Sequence, residues 1–134
     1  MKVFINLAVA DLDRSRRFFT GLGFGFDERF SDEKAIAMVI SEAAVVMLLR
    51  RAFFQTFTPH PLTDGTATEV LIAVQCENRE AVDAMVARAL ATGGSAVRPP
   101  EDHGFMYGHA FADPDGHIWE PHWMDPAALE PKNA

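Results

Sequence analysis

Apolar residues recur along this chain with two alternating periods, and each period marks one kind of element. Residues 3–9 are short and β-rich, which predicts a buried strand. Asp11 follows as a helix N-cap, because its carboxylate can accept from the free N–H groups of a first turn. Leu12, Ser15, Phe19 and Leu22 then share one face at helical spacing, with Phe18 beside them. Arg14, Arg16 and Arg17 take the outer face, and Gly21 and Gly23 supply stop signals. Three strands are predicted next, over residues 24–30, 34–40 and 44–50. Ser31-Asp32-Glu33 and Ser41-Glu42-Ala43 form the turns between them.

This order of strand, helix and three strands recurs. Residues 69–75 predict a strand, and Asn78 caps a helix whose apolar stripe is Val82, Met85, Val86, Ala89 and Leu90. Gly93-Gly94 ends that helix as Gly21 to Gly23 end the first. A strand starting at Ser95 runs to Arg98 and meets the Pro99-Pro100 break; residues 105–112 and 117–124 are the last two. Asp113-Pro114-Asp115-Gly116 joins them with strong hairpin chemistry: proline presets φ, aspartate bonds to its own backbone, and glycine permits a left-handed residue. Two modules of this size cannot each bury a sheet face alone, so a distant internal repeat packed as one domain is expected. Module one covers about 3–50, a linker 51–67, module two 68–124 and a tail 125–134. The linker carries Phe53, Phe54 and Phe57, then Pro59, Pro61 and an Asp64-Gly65 turn. Its phenylalanines need apolar cover, as a satellite of the core, a ligand lid or a subunit contact.

Composition narrows the partners. With 134 residues the chain can bury a sizeable core without disulfides. Twelve basic against 19 acidic residues give a net charge of −7, which lacks the footprint for gripping phosphates and excludes nucleic acid as an expected partner. A cationic guest is favoured slightly. Cys76 is the only cysteine, so neither an intramolecular disulfide nor a cysteine-based zinc cluster can form. No apolar run approaches the ~18 residues of a spanning helix. Residues 2–10 superficially resemble a signal peptide, but a charged helix starts at Asp11 and no convincing cleavage site is present. The expectation is a cytoplasmic protein with no membrane partner.

Four of the five histidines lie between residues 103 and 122, near Glu120. Alternation sets Ile118, Glu120, His122 and Met124 on one strand face and His117, Trp119, Pro121 and Trp123 on the other. Glu120 and His122 could share a metal, although an acid–imidazole hydrogen bond is the commoner arrangement and two ligands do not complete a site. Tyr107, His109 and Phe111 also share a face, which suits either an organic ligand or an ordinary core. His103 and His60 fall in loops without a motif partner. Acidic neighbours beside Cys76 would raise its thiol pKa and argue against a nucleophile. There is no phosphate-cradling glycine loop and no Gly-x-Ser-x-Gly elbow.

Three stretches together carry a family resemblance. They are Asn6-Leu7-Ala8-Val9-Ala10-Asp11-Leu12 through Phe18-Phe19 to Leu22-Gly23-Phe24, the Asn78 helix ending in Gly93-Gly94, and Phe111-Ala112-Asp113-Pro114-Asp115-Gly116-His117-Ile118-Trp119-Glu120. In this order the chain resembles the vicinal oxygen chelate superfamily of glyoxalase I, bleomycin-resistance proteins, fosfomycin-resistance enzymes and extradiol dioxygenases. The resemblance implies an α+β fold of two βαβββ modules whose sheets curl around a central cavity, often in a homodimer. Its metal enzymes place one ligand on the first and last strand of each module. The last is a glutamate after the Asp-Pro-Asp-Gly turn, matched by Glu120; the other three fall on Phe4, Met47 and Leu71. Phenylalanine and leucine cannot ligate, and a thioether is unsuited to Mg²⁺, Mn²⁺, Fe²⁺ or Zn²⁺ in such sites. A slip of two residues would offer Lys2 or Asn6, Val45 or Leu49, and Glu69 or Ala73. The best outcome is Glu69 and Glu120, with Asn6 as a third group.

The resulting expectation is a small-molecule binder without the usual metal or any other cofactor. Phe4, Met47, Leu71, Tyr107, His109, Glu120, His122 and Phe54 are its candidate ligand-binding residues. Glu120 would face a cationic or hydroxylated ligand, and would be the general base of a metal-free enzyme. The alternative is a glyoxalase I-like lyase or extradiol dioxygenase-like enzyme with a displaced metal site; Glu120, His122 and Glu69 are the metal candidates, with His109 a further donor. A scaffold role, with Trp123 and the linker phenylalanines as a subunit contact, is the third reading.

Overall fold

The computed structural model describes residues 1–129; residues 130–134, the end of the expected tail, lie outside them. The chain divides into two compact units, residues 1–67 and residues from 68 onward. Both repeat one α+β plan, as the alternation of strand and helix periods implies.

The first unit runs β1 (Val3–Val9), α1 (Leu12–Gly21), β2 (Gly25–Asp27), β3 (Ala35–Ser41) and β4 (Ala44–Arg50). Its sheet has the order β1-β4-β3-β2, with β1 parallel to β4 and the other pairs antiparallel. The Asp11 carboxylate accepts from Arg14 N–H at 3.1 Å, which starts α1. Ser15, Phe18 and Phe19 of α1 are buried, as are Leu7, Val9, Ile36, Met38, Val46 and Leu48, which share one face of the sheet. The Phe18 and Phe19 rings meet edge to face, 4.9 Å apart. The strand expected over residues 24–30 stops at Asp27, because Glu28–Phe30 form a 3₁₀ turn. Asp27 caps that turn by accepting from Arg29 N–H, and Ser31 Oγ donates to the Asp27 carbonyl. The linker is partly helical: α2 (Arg51–Phe54) packs on β1 and β4 and continues into a 3₁₀ turn over Gln55–Phe57.

The second unit runs β5 (Leu71–Gln75), α3 (Arg79–Ala91), β6 (Ser95–Ala96), β7 (Glu101–Asp102), β8 (Met106–Gly108), β9 (Phe111–Ala112) and β10 (Ile118–Met124). β10 lies parallel to β5 and antiparallel to both β8 and β9 in a single continuous register. β8 and β9 are therefore two pieces of the one strand expected over residues 105–112. Pro121 is the cause of the break. It stands opposite His109, accepts that residue's N–H at 3.0 Å, and has no N–H of its own to return the bond. Ala110 N–H, in the gap between β8 and β9, donates to the ring Nδ1 of His109 at 2.8 Å.

The outer strand is also split. β6 ends at Ala96, short of the expected Arg98, and β7 resumes beyond Pro99-Pro100. From Ser95 to Glu101 this strand advances six residues while its partner advances four, so the prolines sit in a bulge. Asn78 caps α3 by accepting from Ala81 N–H at 2.8 Å. Val82, Val86 and Ala89 are buried, but Leu90 is exposed, so the apolar stripe is narrower than expected.

The Asp113–Gly116 hairpin forms as its residues dictate. Gly116 adopts φ +88°, its N–H donates to the Asp113 carbonyl at 2.9 Å, and Asp113 N–H closes onto the His117 carbonyl. The Asp113 carboxylate accepts from the Asp115 and His117 N–H groups and from Trp119 Nε1–H at 3.1 Å. Trp119, wholly buried, thus ties the turn into the core. No helix among the described residues is long and apolar enough to cross a membrane.

Candidate functional site

Each unit has a cleft on its sheet. In the second unit, β10 sets Ile118, Glu120 and His122 beside Leu71, Ala73 and Gln75 of β5. On the other side His122 stands opposite Gly108, and Met124 opposite Met106. A cleft of about 260 Å³ lies over this face, walled by Met106, Met124, His109, His122, Arg98 and Glu120. Arg98 Nη2 donates to Glu120 Oε2 at 2.5 Å, and Arg98 Nε lies 3.7 Å from Glu101 Oε1. One guanidinium against two carboxylates leaves the rim with a single excess negative charge. Glu120 therefore pairs with Arg98 rather than with His122.

The structure does not bring all the expected residues to this cleft. His109, Glu120 and His122 line it. Tyr107 lies on the α3 side, donating its O–H to Asp83 at 2.6 Å, and that bond above all pushes its pKa up to about 12. The Arg79 guanidinium covers the rings of Tyr107 and Trp123, at 5.3 and 5.2 Å from their centroids, and pairs with Asp102 at 2.6 Å. Trp123 is half-buried there. Phe111 is buried in the core. The expected wall of Tyr107, His109 and Phe111 is thus divided among three environments. Leu71 is 54% exposed on β5, outside the lining of the cleft.

Phe4 and Met47 meet in the first unit. There a more open cleft of about 550 Å³ is lined by Phe4, Asn6, Met47, Arg29, Phe30 and Ser31. Asn6 and Met47 are direct partners on adjacent strands, and Phe4 is 54% exposed. The 3₁₀ turn presents Arg29, whose guanidinium forks onto the Asp27 carboxylate at 3.0 and 2.8 Å. Phe54 lies on α2, half-buried and outside both clefts.

The remaining carboxylate candidate is occupied elsewhere. Glu69 precedes β5 instead of opening it, and its carboxylate pairs with Nδ1 of the buried His117. Glu69 and Glu120 thus serve separate partners. Among the described residues no three histidine, cysteine, aspartate or glutamate side chains gather where a metal ion could be held. With Phe4, Met47 and Leu71 at the other positions, the side chains do not fit a hard divalent ion. The Cys76 thiol is pushed up as expected, but by burial, opposed by a backbone hydrogen bond at His122, and not by the acidic neighbours.

Asp113 yields a pH prediction. Burial is the main force holding its carboxyl above the ordinary value of 3.8, opposed by His117 and by the bonds from Trp119 and the backbone. A folded-state pKa raised above the unfolded one gives stability that is complete below the unfolded value and is lost as pH rises through the folded value. Asparagine is neutral throughout. The melting temperature of wild type relative to Asp113→Asn should therefore rise as pH falls from 7 toward 4. A difference that stays flat or moves the other way would refute the assignment.

Residues 3–120 match the model of the glyoxalase/bleomycin resistance protein/dioxygenase superfamily. A hypothetical protein from S. aureus has a similar structure, with a TM-score of 0.81 and 28% identity over 92% of this chain and 93% of that one. A glyoxalase-related enzyme from Fulvimarina pelagi has a TM-score of 0.80 and 24% identity, over 100% and 93% of the two chains. The bleomycin resistance determinant encoded on the transposon Tn5 shares the fold at a TM-score of 0.63 and 18% identity, over 92% and 98%. No protein of curated function matches. The doubled βαβββ plan, the Asp-Pro-Asp-Gly hairpin and the family match over residues 3–120 together place this chain in the glyoxalase/bleomycin resistance protein/dioxygenase superfamily.

Proposed function

We propose that this chain is a cytoplasmic small-molecule-binding member of its superfamily, working as a homodimer and without a divalent metal. The observation that carries this reading is the exchange of hard ligands for apolar side chains at Phe4, Met47 and Leu71, while clefts persist on both sheets. Cavities with apolar walls and a few polar groups suit organic guests. In the second unit, Met106 and Met124 provide adaptable apolar contact, and His109, His122 and the Arg98–Glu120 pair provide orientation. The excess negative charge on the rim favours a guest with amine or hydroxyl donors. The fold is shared with a bleomycin resistance determinant. The lone Cys76 is in keeping with a reducing compartment.

A thermal-shift screen of amines, glycopeptides and aromatic compounds tests this. A guest at a hundred times its dissociation constant stabilises the folded state by about 2.7 kcal/mol. The expected result is a rise with at least one compound, reduced in Glu120→Gln, and no rise with Ni²⁺, Zn²⁺, Mn²⁺ or Fe²⁺. Absence of any organic hit, or a stoichiometric gain from one of these ions, would overturn the proposal.

A further inference from the structure

The cleft of the second unit holds a second set of donors, softer than carboxylates. Met106 and Met124 are partners across β8 and β10. The bonds His109 N–H to Pro121 O (3.0 Å) and Asp125 N–H to Phe105 O (2.7 Å) mark the hydrogen-bonded pairs of this ladder. By alternation, Met106–Met124 and Gly108–His122 are non-hydrogen-bonded pairs, whose Cα atoms stand about 4.5 Å apart and whose side chains come closest. His122 precedes Met124 by two residues on the same strand, so the imidazole and both thioethers rise from one face. Opposite His122 stands Gly108, which has no side chain to fill the space. The His122 ring makes no hydrogen bond or ion pair with any described residue, although it is half-buried. Glu101 and Glu120 outweigh Arg98 at the rim, which favours a cation.

We propose that Met106, Met124 and His122 form a binding site for a soft monovalent metal ion, Cu(I) or Ag(I). Thioether sulfur selects Cu(I) by softness, and imidazole suits copper as well. Methionine has three rotatable bonds, so two of them from one cross-strand pair can close on an ion above the sheet. Hard divalent ions, which want oxygen, gain nothing from this set. Cys76 is not part of it. That residue follows Gln75, the partner of His122, and alternation turns it to the opposite face.

The test is an anaerobic titration of the full chain with Cu(I) buffered by bicinchoninate, whose colour reports metal withdrawn by the protein. Wild type and Cys76→Ser should each withdraw one equivalent. The Met106→Leu/Met124→Leu double variant, which conserves volume, should melt like wild type and bind at least about tenfold more weakly. His122→Ala should also weaken binding, and excess Zn²⁺ should not compete. As a second measurement on unmodified protein, Ag(I) should shift the methyl resonances of Met106 and Met124 and leave the other four methionines unmoved. No withdrawal of Cu(I), unchanged binding in the double variant, loss of binding in Cys76→Ser, or unmoved Met106 and Met124 methyls would each overturn the proposal.

Discussion

Trp119→Ala should destabilise the protein by about 3–5 kcal/mol, the usual cost of truncating a large buried aromatic side chain. Trp119 is wholly buried on β10, which pairs with strands on both of its sides. Removing the indole opens a cavity that the surrounding sheet cannot fill by a local shift. It also removes the Nε1–H that donates to Asp113, leaving a buried carboxylate short of one donor. Trp119→Phe separates these effects, because it keeps most of the apolar volume and deletes only the bond and part of the ring. Urea unfolding is the measurement, with the midpoint falling and the slope unchanged. A loss below about 1 kcal/mol in Trp119→Ala would show that the hairpin is not anchored through this residue.

Gly94→Ala should cost about 1–3 kcal/mol although it adds a single methyl group. A Cβ at this position would lie 2.8 Å from the Ala112 carbonyl oxygen and 2.8 Å from that of Ala89. Both obstacles are backbone, one on β9 and one in the last turns of α3, so neither can rotate away. Gly94 N–H also donates to the Ala89 carbonyl at 2.8 Å, which holds the chain in the tight position. Relief requires the end of α3 to move off the sheet. Gly25→Ala is the control, since a Cβ there meets nothing within 4 Å and the backbone is in an ordinary conformation. It should be neutral or slightly stabilising. Equal melting temperatures for the two variants would contradict the close approach.

What could be read from the chain was what depends on neighbours in sequence. Asp11 and Asn78 cap their helices because the N–H groups they serve lie three residues ahead. The Asp-Pro-Asp-Gly turn folds on its own chemistry, and alternation alone put Glu120, His122 and Met124 on one face. Features joining distant positions were not legible. Arg98 is 22 residues from Glu120, and nothing beside it announces a partner; only the following Pro99-Pro100 hints that its backbone is extended. Glu69 is 48 residues from His117, so the same carboxylate could be counted as a metal candidate. The break between β8 and β9 has its cause in Pro121, on the opposite strand. The Tyr107 face was identified by its period, but the period could not say that α3 would cover it with Asp83 and Arg79.

That break has a consequence for motion. In the first unit β3 pairs with β4 in one register from Ala35 to Val39, with a single bulge only near its end, between Val39 and Ser41, so that ladder resists opening as one segment. In the second unit the missing donor at Pro121 divides the corresponding strand into two pieces with different attachments. β9 carries the buried Phe111 and belongs to the core, whereas β8 carries Met106 and Gly108 and forms a wall of the cleft. Local opening follows the boundaries of such cooperative segments. The wall can therefore fluctuate, and adjust to whatever enters, while Phe111 and Trp119 stay packed behind it: amide protons of β8 will exchange with solvent ahead of those of β9 and β10.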